Sequence, residues 1–457
     1  MSARRPLAKP LRRCARALLR PAMVLAAALT TLPAIAVELS AGSVLPHDSA
    51  SDVLPRAAAM ADANGDGRSD VIFFNIHHTT AATEEQYLAY LYEQQADGTM
   101  RRAMRFSMIA GGVTRYGQPD GVAFGDLDGD GRAELVLPDA AHDHLVIFKR
   151  GVDRYDEVKR LALPFDFAFH QISIEDLDRD GIPEILYHHV SQGFAIYRGL
   201  GGLNYLPPMA VMSYVSNGFL IDDADGDGVR DLLVAINSVE LNAKGFAINF
   251  GLAPRPGDFG RRRRGFFGLP AFSGMQQAYS IGVGQFAGDS KPEIVLLSRT
   301  EYPPDEHNTV RMPQTISVYR MDDPHHYTLL KRYEYRDVGA VMPAHLRVTD
   351  LDGDGRDEVY VFRSGQLEVI QQQGDGFAPV YLPQMPAGFA GSDPFLASTH
   401  FADFNGDGCR DVGYLANGYV IHYRQNCPSG VAMRKPAQPA MRVTPRIKPR
   451  RGVRLRR

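Results

Sequence analysis

The sequence predicts an all-β fold in which seven units of four antiparallel strands close into a ring, a seven-bladed β-propeller. Three observations lead there. A nine-residue acidic frame is written again and again along the chain. Short β-type runs recur at matching places around each copy. The 44 glycines and 30 prolines among 457 residues suit many short strands joined by turns.

The frame is clearest at Asp126-Leu127-Asp128-Gly129-Asp130-Gly131-Arg132-Ala133-Glu134. Acids at alternate positions of a tightly curled loop converge on one point, a glycine permits the bend, and a backbone carbonyl at the seventh position adds an oxygen. The product is an all-oxygen cage for a hard cation, and Ca²⁺ is the expected occupant. The acid at the ninth position runs straight into Leu135-Val136-Leu137, a strand and not a helix, which separates this loop from an EF-hand. The frame returns at Asp62-Asn64-Asp66-Asp70, Asp176-Asp178-Asp180-Glu184, Asp223-Asp225-Asp227-Asp231, Asp350-Asp352-Asp354-Glu358 and Asp403-Asn405-Asp407-Asp411. An eroded copy spans Gln285 to Glu293 and keeps only Asp289 and Glu293. Seven copies spaced 47 to 65 residues apart are the mark of a propeller or a solenoid.

Around each loop the expected order is strand, loop, strand, turn, strand, and often a fourth strand. In the second repeat these are Val122 to Phe124, Leu135 to Leu137, Leu145 to Phe148 and Val158 to Leu163. Third strands recur at 194–197, 246–249, 316–319, 367–370 and 419–422. Four-stranded units bury both faces only against neighbours, and a ring leaves no terminal face open, so a monomer is expected. The last repeat ends near Cys427 without a fourth strand. The segment from Val37 to Leu45 has no repeat of its own and is expected to supply it.

Charge is segregated. Residues 1–36 hold seven Arg and Lys and no acid, and residues 434–457 hold ten and no acid. Between them 33 basic residues face 53 acidic ones, a balance of −20 with 22 of the acids in the six intact loops. Six Ca²⁺ would bring that body to −8, so the ions are expected to contribute to its stability. Residues 1–36 have the form of a cleaved export signal: an Arg-rich start, an apolar run from Met23 to Leu32, then Ala34-Ile35-Ala36. A secreted or periplasmic protein is expected. In an oxidising compartment Cys409 and Cys427 would close a loop of about 18 residues, worth ~3 kcal/mol; two buried thiols are the alternative. The domain plan is signal at 1–36, propeller at 37–430, and a basic disordered tail at 431–457.

The loops, together with Phe124-Gly125, resemble the FG-GAP/VCBS-repeat family, whose propellers include that of the integrin α-subunit. The resemblance spans residues 37–430. It implies a seven-bladed propeller with Ca-binding loops between the first and second strands of each blade. It also implies that ligands bind the face opposite those loops. Carried onto this chain, the ligands are the acids above with Asn64 and Asn405, plus the carbonyls of Arg68, Arg132, Ile182, Val229, Arg356 and Cys409. The copy at 285 departs from the pattern, with Gln285 and Ala287 where acids belong. Members serve adhesion, recognition, assembly or, within larger chains, catalysis, so fold does not choose the activity.

On the opposite face, the residues six before each first ligand include Arg56, Asp120, His170, Asn217 and Tyr279, with His345 and His400 close to their own positions in the sixth and seventh repeats. These are the candidate ligand-binding residues around the channel mouth. Second-to-third-strand loops add His77, His78, Asp139, His142, His144, His188 and His189. A polar recognition pocket or a transition-metal site is one reading; hydrophilic surface loops are the other, and no local His-x-x-x-His spacing favours a transition metal. Arg261 to Arg264 are expected in a connection between blades four and five. The basic tail suits an anionic surface or simple solvation, and no aromatic interleaving supports nucleic-acid binding. No nucleophile elbow, phosphate loop or His-Glu-x-x-His occurs, so no catalytic residue is assigned. The expectation is therefore an extracellular module for adhesion or for glycan or protein recognition. A hydrolase or lyase at the channel mouth is the alternative.

Overall fold

The computed structural model describes residues 39, 43–44, 55–78, 85–107, 121–139, 143–164, 170–189, 192–212, 216–238, 243–252, 263–268, 275–287, 291–301, 313–334, 345–351, 356–363, 366–373, 376–381, 400–404, 409–416 and 419–425. The chain divides into two units, Met1–Ile35 and Ala36–Arg457. All described residues belong to the second; the expected signal, Cys427 and the basic tail lie outside the described residues.

The second unit is all-β, with seven antiparallel sheets of four strands each. Blade one is β2 (Pro55–Ala61), β3 (Asp70–His78), β4 (Glu85–Gln94) and β5 (Met100–Ser107); blade two is β6 (Ala123–Gly125), β7 (Glu134–Pro138), β8 (His144–Arg150) and β9 (Tyr155–Ala162). Blade three is β10 (His170–Glu175), β11 (Glu184–His189), β12 (Gly193–Tyr197) and β13 (Met209–Met212). Blade four is β14 (Ser216–Asp222), β15 (Asp231–Ser238), β16 (Ala243–Phe250) and β17 (Arg263–Gly268). Blade five is β18 (Met275–Gly284), β19 (Glu293–Glu301), β20 (Gln314–Asp323) and β21 (His326–Glu334). Blade six is β22 (His345–Thr349), β23 (Glu358–Arg363), β24 (Gln366–Gln373) and β25 (Gly376–Tyr381). Blade seven is β26 (His400–Ala402), β27 (Asp411–Ala416) and β28 (Tyr419–Tyr423), with β1 (Ser43–Val44) as its outer strand. Ser43 pairs with His422 and Val44 with Ile421, and a further bridge joins Leu39 to Gln425. The first and last described strands thus meet in one sheet, as expected for the segment from Val37 to Leu45.

Burial explains the strand sequences. Middle strands are covered on both faces by neighbouring blades, so β11 (EILYHH) and β12 (GFAIY) are buried at every residue. The outer strand β9 (YDEVKRLA) alternates toward solvent and carries charges, as rim strands do. Alternate residues of one strand serve opposite neighbours. Leu135 of β7 joins Phe74 and Leu91 of blade one, whereas adjacent Val136 joins Ile185 and Tyr187 of blade three. The same division continues through Leu186 with Val234, Leu233 with Ile294, and Val295 with Val361. Tyr360 meets Phe401 edge-on at 5.1 Å between blades six and seven. Gly413 of blade seven faces Met60 of blade one, where an added Cβ would lie 2.8 Å from the Met60 methyl. The ring is closed.

One expectation is corrected. Arg263 and Arg264 belong to β17, paired with Phe250 and Asn249, and not to a connection between blades. The Phe266-Phe267 pair that follows has the β propensity to hold the strand, and a rim position tolerates the preceding arginines.

Candidate functional site

Each first strand ends at an acidic loop, so all loops lie at one end of the ring and the starts of the first strands lie at the other. The loop fold is set by two left-handed residues. In blades one, two and four these are Gly65 and Gly67, Gly129 and Gly131, and Gly226 and Gly228, with φ from 74° to 85°. In blade three the fourth position is Arg179 at φ 57°, a conformation that costs a non-glycine residue about 1–2 kcal/mol. Around Gly67, Gly129, Gly131 and Gly181 there is open space, so it is backbone conformation and not crowding that asks for glycine there.

The curl turns side chains inward and ties them to backbone amides. Asp62 accepts from Gly65 and Gly67 (both 2.7 Å), and Asp126 and Asp223 accept from the matching glycines at 2.7–3.0 Å. Asp176 accepts from Gly181 (3.0 Å). Third-position groups Asn64, Asp128, Asp178 and Asp225 accept from the amides of Asp66, Asp130, Asp180 and Asp227 at 2.9–3.2 Å. Fifth-position acids accept from the amides of Arg68, Arg132, Ile182 and Val229 at 2.7–3.0 Å.

The ninth acid is different: it is buried, and one of its oxygens accepts from the second-position amide in all seven repeats. The pairs are Ala63 with Asp70, Leu127 with Glu134, Leu177 with Glu184, Ala224 with Asp231, Phe286 with Glu293, Leu351 with Glu358 and Phe404 with Asp411, at 2.7–3.1 Å. Where that acid is Asp, its second oxygen accepts from the end of the third strand: Gln94, Gly251 and Gln425 donate at 2.7–3.0 Å. Where it is Glu, the second oxygen differs from blade to blade: Oε1 of Glu358 accepts from Gln371 Nε2 of the third strand (3.3 Å). Oε1 of Glu134 and Oε1 of Glu184 are buried without a hydrogen-bond partner, as is Oδ1 of Asp176.

Three loops bring carboxylate oxygens within 4.8 Å of one another: Asp126, Asp128 and Glu134; Asp176, Asp178 and Glu184; Asp223, Asp225 and Asp231. Burial pushes the ninth acids up, to about 6 for Asp70, 7 for Glu134 and Asp231, and 8 for Glu184. Crowded like charges at 128 and 130, 178 and 180, and 225 and 227 act in the same direction. An all-oxygen donor set, orphaned buried oxygens and mutual repulsion fit a hard divalent cation. In blade two the ammonium of Lys149 lies among these acids, bonded to Asp128, 2.9 Å from Asp130 and 3.5 Å from Glu134 Oε1. In blade one Arg68 pairs with Asp66.

Blades six and seven are described in part. Asp350 and Arg356, Asp403, Cys409 and the ninth acids are placed, whereas Asp352, Asp354, Asn405 and Asp407 lie outside the described residues. Cys409 is disulfide-bonded. The eighth position, unremarked in the sequence, joins the loops of blades two, six and seven to the preceding blade. The Ala133 amide donates to Asp62 O (2.9 Å), Asp357 accepts from the Gln285 amide (2.6 Å) and Arg410 donates to Thr349 (3.4 Å), whereas Arg230 pairs with Asp222 of its own blade and offsets in part the burial that raises the pKa of Glu175 in blade three.

At the other end, the backbone of Arg56, His170, Asn217 and His345 starts β2, β10, β14 and β22; their side chains and Asp120 lie outside the description. Tyr279 is turned into blade five, 8% exposed, with the Arg299 guanidinium 5.3 Å above its ring. His188, expected on the loop face, is a core residue stacked on Phe194 at 4.3 Å and held neutral by burial, its pKa down to about 3. Asp139 and His144 are taken up in binding their own loop: Asp139 accepts from the amides of Asp143 and His144 and from Arg160.

A feature the sequence reading missed lies on the axis. A central cavity of about 420 Å³ is bounded by residues from six of the seven first strands. Aligning the repeats shows why. Three residues before each first ligand stand Ala59, Ala123, Ser173, Leu220, Gly282, Arg347 and His400, and all but Gly282 line it. Counting back three, not six, from each loop finds the channel.

The molecule is thus a seven-bladed β-propeller with an acidic loop between the first and second strands of its blades. The FG-GAP-like repeat family matches residues 62–137 and 350–414, and the chain carries these repeats across blades one and two and blades six and seven. No curated protein matches the chain. Among solved structures it is similar to the Dos1 propeller, at 9% identity over 85% of this chain and 95% of that one with a TM-score of 0.46. It is also similar to BBS1N in complex with ARL6DN, soaked with lead, at 9% identity over 86% of this chain and 99% of that one with a TM-score of 0.48.

Proposed function

We propose that this FG-GAP-like propeller is an exported binding module whose acidic loops hold Ca²⁺ as part of the scaffold. The observation that carries the calcium reading is the shared loop geometry of blades two to four: carboxylate oxygens that converge within 4.8 Å of one another around a buried ninth acid, with Oδ1 of Asp176 and Oε1 of Glu184 in blade three buried without a hydrogen-bond partner. Buried oxygens of this kind are costly unless a cation or donor satisfies them. Asp126, Asp128, Asp130 and Glu134, with the Arg132 carbonyl, would hold the ion in blade two; the matching residues serve in the other intact loops. The ion would supply charge neutralisation and rigidity, not chemistry, because near-identical sites repeat around a ring where a catalytic centre needs one special constellation.

Export is supported by the pattern of residues 1–36 and by the disulfide at Cys409, which suits an oxidising compartment. The face opposite the loops is the surface offered to a glycan or protein partner. Native mass spectrometry of the mature chain, with and without chelator, tests the calcium reading: up to six Ca²⁺ are expected. A glycan and surface-protein array tests recognition; retention of no ligand and no ion would overturn the reading.

A further inference from the structure

The axial cavity is not part of the acidic loops, and its lining is uneven around the ring. Blades one, two and four contribute apolar surface, including Phe124 and Phe219, whereas blade three contributes Gln171 and Ser173. Blades six and seven contribute Arg347 and His400, neighbours close enough that the guanidinium disfavours protonation of the imidazole. Arg347 is enclosed by the channel wall, and its Nη1 donates to the Leu346 carbonyl (3.2 Å), which fixes the fork. Nε2 of His400 is buried and has no hydrogen-bond partner. Burial holds this imidazole neutral at physiological pH, so it can offer one N–H. Among the described lining residues the acid is Glu175 on blade three, which lies near Arg230 of the adjoining blade.

We propose that this channel binds a small hydroxylated organic anion, its carboxylate or phosphate on Arg347 and His400 and its hydroxyls on Gln171 and Ser173. A guanidinium in a low-dielectric wall matches the planar, bidentate geometry of an oxyanion and is strongest away from water. About 420 Å³ lies within the size range of small-molecule sites. Aromatic surface at Phe124 and Phe219 suits the carbon face of a ring. The site depends on the closed ring of blades and not on occupancy of the acidic loops, so it stands or falls separately from the calcium reading.

The test is isothermal titration of the full chain with glucuronate, glucose 6-phosphate, inorganic phosphate and glucose, in calcium buffer. Glucuronate or glucose 6-phosphate is expected to bind and glucose is not; the preferred acid identifies carboxylate or phosphate as the anchoring group. Arg347→Met is expected to weaken that binding at least tenfold with an unchanged circular dichroism spectrum, Arg347→Lys less so, and Gln171→Leu by a few fold. Should Arg347→Met not fold, Arg347→Lys and Gln171→Leu are the deciding variants. Lack of binding by both acids at millimolar concentration overturns the proposal. So does equal binding of glucose, or undiminished binding in the folded variants.

Discussion

The loop of blade five and those of blades two to four start from the same frame and differ in what they keep. Blade five has lost the acids at its first and third positions, yet Glu293 still accepts from the Phe286 amide (2.7 Å), as Glu134 and Glu184 accept from Leu127 and Leu177. Its first-position amide is taken by Asp357 of blade six. Blade six also presses close: an added Cβ on Gly282 would lie 2.5 Å from Val348, and one on Gly284 2.4 Å. Two layers of the motif therefore separate. The ninth acid and the second-position amide hold the turn between first and second strands in every blade, whereas the first, third and fifth positions form a charge cage that a blade can lose when its neighbour supplies other contacts.

The largest test of that separation is removal of the ion. A site saturated a hundredfold above its Kd adds about 2.7 kcal/mol, so excess EGTA is expected to lower Tm by roughly ten to thirty degrees. An unchanged scanning-calorimetry trace would remove calcium from the scaffold. Next comes the ninth acid. Glu293→Ala leaves a buried amide without its acceptor and is expected to cost about 1–3 kcal/mol by urea denaturation, equally with and without calcium. Glu184→Ala is expected to cost a similar amount in chelator and clearly more in calcium. Equal calcium dependence of the two variants would break the comparison. Gly282→Ala, which drives a methyl into Val348, is expected to cost about 1–3 kcal/mol irrespective of calcium.

A smaller effect is the pH dependence of the chelated protein. Burial raises the ninth carboxyls from 3.8 or 4.5 in the unfolded chain to about 6 for Asp70, 7 for Glu134 and Asp231, and 8 for Glu184. A raised folded pKa gives stability that is complete below the unfolded value and is lost as pH rises through the folded one. Tm without calcium is thus expected to fall between about pH 4.5 and 8. The gap between calcium-loaded and chelated Tm should widen over that window, and a constant gap would contradict the cage electrostatics. The smallest expected effect is at Lys149, whose ammonium competes with a divalent ion in blade two. Lys149→Gln should raise the affinity of one site severalfold in calcium titrations and leave the others alone.

Which features were legible follows from how local they are. The cage is local: nine consecutive residues hold the converging acids, the left-handed glycines and the acid that opens the next strand, so spacing alone exposes them. The blade is nearly local, because β12 shows its burial in an unbroken apolar run. His188 was misread because a strand-end histidine gives no local sign that Phe194 and Phe219 will close over it. Arg263 and Arg264 were misread because charge argues for a loop until the position is known to be a rim.

The chain by itself determined that there are seven units, where each loop lies and which oxygens meet in it, since these depend on contacts within a few residues. Only the tertiary structure decided that Arg347 and His400 share one cavity and that Asp357 serves the loop of another blade. Those contacts join residues tens of positions apart. Their partners are chosen by ring closure, which no local pattern records.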